Sequence, residues 1–160
     1  MAGGSHDLVL GRYRLGSPLG QGGFGQIYTG LQVSLHREIA IKTIKPNMVN
    51  ADLIRERFRR EALLAASINH PNVVTIHDFG VDCDGDLVLV MELLKGANLF
   101  QELRLRPKPT LEQVARRVRQ AANGLGAAHC IGIIHRDIKP SNIFLIHPGK
   151  DTEFVKIIDF

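Results

Sequence analysis

The sequence contains no tryptophan, and aromatic residues make up only 6% of its 160 residues. This scarcity argues against a protein that binds single-stranded nucleic acid by stacking bases on aromatic side chains. The basic excess is small, with a formal charge of +4, and it lies in short arginine clusters such as Arg116, Arg117 and Arg119. These clusters fall in or beside apparent helices, where we expect a solvated face. A modest charge attracts nucleic acid only weakly, so we predict no nucleic-acid partner.

Cysteines and long apolar runs are scarce as well. The two cysteines, Cys83 and Cys130, form no CxxC pair, which is typical of free thiols in a reducing cytoplasm. No run approaches the roughly 18 consecutive apolar residues that a membrane-spanning helix needs. The start of the chain lacks the basic segment and long apolar stretch of a signal peptide. We therefore predict a cytoplasmic chain with no membrane segment.

The remaining composition, 44% hydrophobic and 22% charged, is that of a folded domain with a real core. Residues 1–12 are predicted to be a loose leader. From Tyr13 to about Val90 the alternation of apolar residues predicts strands, interrupted by one helix from Asp52 to about Asn69. After Gly96 the pattern becomes helical, with Thr110 as an N-cap, and two short strands close the chain. The prediction is an α+β fold in which a strand-rich half precedes a helical half, with a cleft near residues 91–96.

The helix that follows Thr110 is predicted to bury one continuous apolar face, because its apolar residues recur at intervals of four and three. The residues of this predicted face are Val114, Val118, Ala121, Leu125 and Ala128.

A glycine-rich stretch, LGQGGFGQIYTG, carries the first chemical signal. Gly20, Gly22 and Gly25 form a G-x-G-x-x-G, which alone is a weak motif. The residues beyond it read as a strand, so the loop is predicted to join two strands. The stretch also lacks the G-x-x-x-x-G-K-[ST] of a P-loop. Glycines in such a turn let backbone N–H groups approach phosphate oxygens, although a plain flexible hairpin fits the stretch equally well.

Two charged residues follow in apolar surroundings. Lys42 lies in I-A-I-K, on an otherwise apolar strand, and Glu61 lies in F-R-R-E-A on the next helix, between Phe58 and Ala62. A lone lysine on a strand usually faces solvent. Together, however, Lys42 and Glu61 are predicted to form a partly buried ion pair that holds the ammonium group against a triphosphate.

The most informative stretch is HRDIKPSN, residues 135–142. Phosphoryl transfer requires a carboxylate to accept a hydroxyl proton, a cation near the moving phosphoryl group and oxygen ligands for Mg²⁺. Asp137, Lys139 and Asn142 supply a carboxylate, a cation and an amide oxygen in that order.

These motifs, with the final Asp159-Phe160, resemble the signature series of the protein kinases in the family's own order. Lys139 is similar to the lysine of the serine/threonine-specific branch, and the runs ERFRREA and HPNVVTIHDFG resemble the eukaryotic-like (Hanks-type) kinases of bacteria. The resemblance implies a protein-kinase-like fold over residues 13–160. It divides the domain into a strand-rich N-lobe at about 13–90, a hinge at about 91–96 and a partial helical C-lobe at 97–160.

The resemblance also implies ATP and Mg²⁺, with Mn²⁺ as a substitute, as cofactors. It assigns Asp137 as the acceptor of the substrate proton, Lys139 as the cation that stabilises the moving phosphoryl group, and Asn142 and Asp159 as metal ligands. Ile27 replaces the usual valine, a conservative change that leaves its role intact. Phe144 replaces the usual leucine, and we expect its larger ring to make the adenine pocket shallower. The implied ATP-binding residues are Leu19, Gly20, Gln21, Gly22, Gly23, Phe24, Gly25, Gln26, Ile27, Ala40, Lys42, Glu61, Met91, Glu92, Leu94 and Phe144.

The expected function is ATP-dependent phosphoryl transfer to serine or threonine hydroxyls of protein substrates. The resemblance leaves open a kinase homodimer for autophosphorylation and a membrane tether on a longer parent. Because the family motif continues beyond Phe160, we expect the isolated chain to transfer phosphate poorly or not at all. The alternatives are a non-catalytic ATP- or partner-binding module that regulates another kinase, and a small-molecule kinase, which the KPSN context disfavours.

Overall fold

The computed structural model describes residues 8–22, 25–45, 51–105, 108–147 and 152–160. The chain divides into two compact units. The first unit contains Met1–Ala66 and Ile76–Leu93, and the second contains Ser67–Thr75 and Leu94–Phe160. The predicted lobe boundaries at 90 and 97 did not anticipate that the segment Ser67–Thr75 groups with the second unit.

The first unit is built on one six-stranded antiparallel sheet in the order β1-β2-β3-β4-β6-β5. Its apolar residues alternate or run in the β-branched stretches typical of strands, so the predicted strand series is confirmed. The strands are β1 (Leu8–Val9), β2 (Tyr13–Gly22), β3 (Gly25–Gln32), β4 (Arg37–Ile44), β5 (Ile76–Val81) and β6 (Leu87–Glu92).

The core of the first unit lies against the middle strands of this sheet. Ile39 and Ile41 of β4 are fully buried, as are Val88 and Val90 of β6, and Tyr13 joins them at 3% exposure. Each aliphatic side chain that is buried in this way contributes about 1.5–3 kcal/mol. The core therefore fixes β4, the strand that carries Lys42.

The beginning of the chain is more ordered than a loose leader. Leu8 and Val9 form β1, which pairs with Arg14 and Tyr13 of β2. Val9 and Leu10 pack on the core of the first unit. The expectation of a loose leader is therefore wrong for residues 8–12, because two apolar side chains there gain burial that the glycine-rich composition concealed.

Tyr13 makes a partly buried hydrogen bond that gives the stability of the first unit a pH dependence. Its hydroxyl donates to Asp78 Oδ2 at 2.7 Å. Burial, and then the hydrogen bond and the charge of Asp78, raise the pKa of Tyr13 to about 12. An unfolded tyrosine loses its proton near pH 10, so the unfolded state releases this proton first as pH rises. The free energy of unfolding should therefore fall between about pH 10 and pH 12.

We predict that Tyr13→Phe removes this alkaline loss, because the substitution deletes the titrating hydroxyl. The stability difference between the wild type and Tyr13→Phe should be largest near neutral pH and should shrink from about pH 10 to pH 12. Urea unfolding at a series of pH values measures this difference. A difference that stays constant over that range would contradict the prediction.

The helix of the first unit, α1, spans Ala51–Ser67, two residues shorter at its end than predicted. Ala62 of this helix is buried, and Phe58 packs edge-on against Phe79 of β5, with ring centroids 6.5 Å apart. These contacts set the rotation of α1 about its axis. Leu63 and Leu64 are left about half exposed, at 48% and 45%.

In its described residues, the second unit has a small antiparallel sheet, two helices and one 3₁₀ turn. Its strands pair in the order β7-β8-β9. Thr110 caps the longer helix as predicted, in a capping box with Gln113, an arrangement that satisfies two otherwise unpaired backbone donors. The elements are β7 (Gly96–Asn98), α2 (Leu99–Leu105), α3 (Leu111–Cys130), the 3₁₀ turn Pro140–Asn142, β8 (Ile143–Ile146) and β9 (Phe154–Ile157).

The buried side of α3 differs from the predicted apolar face. Ala128 of the predicted face is buried, but Val114 and Val118 are exposed, at 39% and 62%. Arg117 and Gly124 are buried instead. At Gly124 the helix approaches the backbone of Asn72 so closely that a Cβ would lie 2.8 Å from its carbonyl oxygen. Close backbone approach and a buried ion pair, in addition to apolar packing at Ala128, therefore decide which side of α3 is buried. No helix in the described ranges is long and apolar enough to cross a lipid bilayer.

Candidate active site

The glycine-rich stretch forms the hairpin between β2 and β3, as the sequence predicted. Gly20 pairs with Ile27, Gln21 with Gln26 and Gly22 with Gly25. The Gln26 side-chain amide donates to the Gly20 carbonyl oxygen at 3.1 Å and braces the hairpin. Two residues assigned to the ATP site, Gly23 and Phe24, lie outside the described residues.

Two glycines of this hairpin serve different purposes. A Cβ at Gly25 would collide with the carbonyl oxygen of Thr43 on β4, whereas a Cβ at Gly20 would meet no heavy atom within 4 Å. Gly25 is therefore required by the packing of the chain itself. Nothing in the packing of the described chain requires Gly20, which leaves open space of the kind that a phosphate group could occupy.

We predict that Gly20→Ala and Gly25→Ala separate nucleotide binding from hairpin stability. Gly20→Ala should weaken ATP binding, because its methyl group enters the open space, and should change the free energy of unfolding by less than about 0.5 kcal/mol. Gly25→Ala should lower the free energy of unfolding by about 1–3 kcal/mol, since β3 and β4 must separate. Urea unfolding and calorimetric titration with ATP measure both effects.

The two substitutions serve as controls for each other. Equal losses of stability in both variants would contradict the distinction between these glycines. Unchanged ATP affinity in Gly20→Ala would remove Gly20 from the nucleotide site.

Lys42 lies in the middle of the first unit's sheet. On β4 it pairs with Ile27 on one side and Leu89 on the other. The residue is only 8% exposed and is not without an interaction partner. The lone strand lysine is therefore a buried residue rather than the usual outward-facing one.

Glu61 does not occupy the position that the sequence analysis expected. The residue is exposed on α1, and no ion pair between described residues includes it. The expectation of a partly buried pair between Glu61 and Lys42 is wrong in this structure. The physical reason is the rotation of α1, which Phe58 and Ala62 fix by packing on the first unit. The assignment of Glu61 to the ATP site stays a prediction.

The residues assigned to adenine binding are distributed over both units. Ala40 and Met91 are direct neighbours across β4 and β6, at 6% and 8% exposure. Glu92 ends β6 and is half-buried, and Leu19 on β2 is 54% exposed. In the second unit, Leu94 follows the first unit directly and Phe144 lies on β8 opposite Lys156.

The HRDIKPSN stretch forms a compact polar loop in the second unit. The Lys139 ammonium lies 2.7 Å from Asp137 Oδ2. The Asn142 side-chain amide donates to the same oxygen at 3.1 Å and to the Asp137 carbonyl oxygen at 2.9 Å. The three residues that the sequence singled out are therefore in direct contact. The hydrogen bond from Lys139 is the main cause that lowers the pKa of Asp137, so this carboxylate stays ionised at neutral pH.

His135 anchors this loop to the residues that follow β9. It is 6% exposed, its Nε2 lies 2.9 Å from the Ile158 carbonyl oxygen, and its ring lies 4.6 Å from the ring of Phe160. Arg136 has a φ of 63°, a left-handed conformation that costs a non-glycine residue free energy and is often found at functional sites. The loop therefore exposes Asp137 because the residues before it are held in place.

A backbone hydrogen bond places Asn142 next to the residue that precedes Asp159. The Asn142 carbonyl oxygen accepts a hydrogen bond from the N–H of Ile158 at 3.0 Å, and Asp159 is the next residue. Because the Asn142 amide nitrogen donates to Asp137, its amide oxygen is the atom that can bind a cation. An amide oxygen and a carboxylate are hard donors of the kind that Mg²⁺ prefers, and Mg²⁺ commonly takes one or two such ligands together with substrate phosphates.

Sequence reasoning missed one charged group in the second unit. Arg117 was placed on a solvated arginine face, but its guanidinium is buried against Glu153. The only sequence signal is the position of Arg117 four residues before Ala121, on the side of α3 that continues to Gly124 and Ala128. An arginine at that position is equally consistent with a surface residue.

Comparison with known proteins decides the family. The model of the protein kinase domain matches residues 13–160. The chain belongs to the protein kinase family. The fold is shared with solved kinase domains: two crystal structures of the Mycobacterium tuberculosis PknI kinase domain superpose with TM-scores of 0.79 and 0.81 at 29% and 28% identity. This chain is covered over 92% and 99% of its length, and those kinase domains over 59% and 61%.

Two similar curated proteins come from bacteria. The chain is 42% identical over 155 residues to "Serine/threonine-protein kinase pkn2" of Myxococcus xanthus, covering 96% of this chain and 18% of that protein. It is 36% identical over 156 residues to "Serine/threonine-protein kinase PknA" of Mycobacterium tuberculosis, covering 95% and 35%. The chain thus spans only a fifth to a third of the length of these relatives. The predicted resemblance to bacterial eukaryotic-like serine/threonine kinases is confirmed.

Proposed function

We propose that this chain carries the ATP-handling and catalytic residues of a serine/threonine protein kinase, which transfers the γ-phosphoryl group of ATP to hydroxyl groups of protein substrates. One observation carries the proposal: Asp137 Oδ2 is held by both Lys139 and Asn142, at 2.7 and 3.1 Å. The names of the relatives also favour a kinase over a non-catalytic binding module.

The proposed reaction begins at Asp137. Both of its side-chain contacts fall on Oδ2, so we assign Oδ1 as the atom that accepts the proton of the substrate hydroxyl. The hydroxyl oxygen forms a bond to the γ-phosphorus, the bond to the bridging oxygen breaks, and ADP leaves with that electron pair. Lys139 lies next to Asp137 and supplies a positive charge for the phosphoryl oxygens.

Each unit supplies its own set of proposed contacts to the cofactors. In the first unit, the hairpin around Gly20 offers backbone N–H groups to phosphate oxygens, and Lys42 offers its ammonium group. In the second unit, the Asn142 amide oxygen and the Asp159 carboxylate are the proposed ligands of a divalent cation. When bound, Mg²⁺ neutralises phosphate charge and orients the γ-phosphoryl group.

The proposal extends to partners and location. The acceptor is a protein with an exposed serine or threonine, and a second copy of the kinase can act as the substrate in autophosphorylation. The two exposed free cysteines support a reducing compartment, so we propose the cytoplasm as the location.

A binding experiment and a transfer experiment test the proposal. Calorimetric titration of the chain with ATP and Mg²⁺ should show binding, and Lys42→Met should weaken it at least about tenfold, since an interaction worth about 1.4 kcal/mol is lost. Lys45→Met is the matched control, because Lys45 is exposed near the end of the same strand segment. Transfer from radiolabelled ATP to casein, however slow, should label serine or threonine on phosphoamino-acid analysis.

Two results would overturn the proposed function. The first is a wild-type chain that binds no ATP in the presence of Mg²⁺. The second is labelling that appears on tyrosine alone.

A further inference from the structure

A cluster of buried charges lies in the second unit, apart from the residues used in the proposed reaction. Arg117 of α3 makes a bidentate pair with Glu153: Nε donates to Oε1 at 2.8 Å and Nη2 to Oε2 at 2.7 Å. The side chains of Arg117 and Glu153 are 7% and 0% exposed, and Glu102 Oε1 lies 3.9 Å from Nη2. No step of the proposed phosphoryl transfer uses this cluster.

The geometry of the pair favours a role in positioning. Removing two charges from water is costly, so a buried ion pair adds little stability over well-packed apolar side chains. A guanidinium group, however, is a planar fork that fixes both the distance and the orientation of the carboxylate it binds. The pair is therefore suited to holding two elements in one defined register.

The strand held by this pair is β9. Glu153 is the residue directly before β9 (Phe154–Ile157). Gln120, one helical turn after Arg117, accepts from the Val155 N–H at 2.9 Å and donates to the Glu153 carbonyl oxygen at 3.3 Å. Side chains of α3 therefore bind both the side chain of Glu153 and the backbone at the beginning of β9.

The other end of the same strand leads into the proposed metal ligands. Ile158 donates its N–H to the Asn142 carbonyl oxygen, and its own carbonyl oxygen lies 2.9 Å from His135 Nε2. Asp159 follows immediately. A shift of β9 along its axis would break these contacts and move Asp159 away from Asn142.

The connection between β8 and β9 does not by itself fix the register in which the two strands pair. Residues 147–153 connect the two strands, a connection longer than the two-residue turns that fix the register of a hairpin by themselves. A register shift of one residue also turns every side chain of a strand to the opposite face. An anchor at Glu153 opposes that shift, together with the hydrogen bonds that Val155 and Ile157 make with Asn72.

We propose that Arg117, through its bidentate pair with Glu153, is a positioning residue for metal binding: it holds β9 in the register that places Asp159 beside Asn142. The inference rests on the proposed function, in which Asp159 and Asn142 bind a divalent cation.

The test compares variants of the whole chain in three measurements. These are the Mg²⁺ concentration for half-maximal binding of a fluorescent ATP analogue, hydrogen–deuterium exchange of the amides at residues 155–160 without nucleotide, and the thermal unfolding midpoint. Arg117→Lys keeps the positive charge but loses the planar guanidinium that makes two hydrogen bonds to Glu153. Arg119→Lys is the matched control, because Arg119 is exposed on the same helix. The double variant Arg117→Met/Glu153→Leu removes both charges and keeps apolar packing.

We expect Arg117→Lys to raise the half-maximal Mg²⁺ concentration about tenfold, as loss of a group that supports a metal ligand commonly does, and to accelerate exchange at residues 155–160. Arg119→Lys should change neither. The double variant should remain folded with the same Mg²⁺ shift, because apolar side chains do not fix register as the fork does.

Folded Arg117→Lys and double variants with wild-type Mg²⁺ dependence and wild-type exchange would overturn the inference and leave Arg117 as a packing residue. A wild-type chain that binds no nucleotide with Mg²⁺ overturns the proposed function instead. In that case the exchange measurement still decides whether Arg117 holds β9.

Discussion

Asp137→Asn is expected to lower the rate of phosphoryl transfer about 10²–10⁴-fold, the range typical of losing a group that accepts a proton in the transition state. The substitution keeps the size of the side chain and a hydrogen-bond acceptor near Lys139 and Asn142. Because Asp137 is half exposed, at 52% of its side chain, the free energy of unfolding should change little. Affinity for ATP with Mg²⁺ should stay within about twofold of the wild type, since the proposed metal ligands Asn142 and Asp159 remain.

Radiolabelled ATP and a protein acceptor measure this rate even when transfer is slow. Asp84→Asn is the matched control, because Asp84 is an exposed aspartate in the turn between β5 and β6. An Asp137→Asn chain that transfers phosphate at the wild-type rate would remove Asp137 from the reaction. A parallel loss of ATP binding would point to a structural role instead.

The pH dependence of transfer follows from the same contact. The hydrogen bond from Lys139 is the largest cause that lowers the pKa of Asp137, so Asp137 remains a carboxylate until the pH falls below the ordinary range for aspartate. Activity that requires the ionised form should be present above that pKa and lost below it. Lys139→Met should raise the pKa of Asp137 and move the acid limb of the pH–rate profile to higher pH, apart from any fall in the maximal rate.

Arg117→Met is expected to cost about 3–5 kcal/mol of unfolding free energy, because it leaves the Glu153 carboxylate buried without its cationic partner. The side chain of Glu153 has no exposed area, and its oxygens lie 2.7 and 2.8 Å from the guanidinium nitrogens. Glu153 also keeps the pKa of Arg117 raised through this hydrogen bond. The guanidinium is therefore charged at every pH at which the chain is folded.

Urea unfolding at neutral pH measures this cost. Arg119→Met, an exposed substitution on the same helix, should change stability by less than about 0.5 kcal/mol. The double variant Arg117→Met/Glu153→Leu should recover most of the loss, since removing both charges avoids the unpaired carboxylate. A single Arg117→Met variant as stable as the control would show that Glu153 finds another partner or water.

Local signals in the sequence predicted most of the elements around the site. The strands from Tyr13 to Val90, the N-cap at Thr110 and the helical character after Gly96 follow from short-range patterns, and the structure confirms them. The loop with Asp137, Lys139 and Asn142 was also predictable, because its members lie within six residues and contact one another through a single turn. Such features depend on neighbours in the chain, so they can be predicted from short stretches of the sequence.

Side-chain burial on the two helices was less predictable. Periodicity placed Glu61 near a packed face and Val118 on one, yet both are exposed, while Arg117 is buried. The rotation of α1 depends on Phe79, which is more than ten residues beyond the end of that helix, and the buried side of α3 depends on Asn72 and Glu153. A single helix does not encode these partners.

The sequence by itself determined the family motifs, the strand order along the chain and the chemistry of the HRDIKPSN loop, because each of these depends on residue type and short spacing. Only the tertiary structure decided that Gly25 rather than Gly20 is required by packing, that Leu8 and Val9 join the first sheet, and that α3 anchors β9 through Arg117. The physical reason is that close backbone approach and buried ion pairing join residues far apart in the sequence, and no local pattern records which distant atoms will meet.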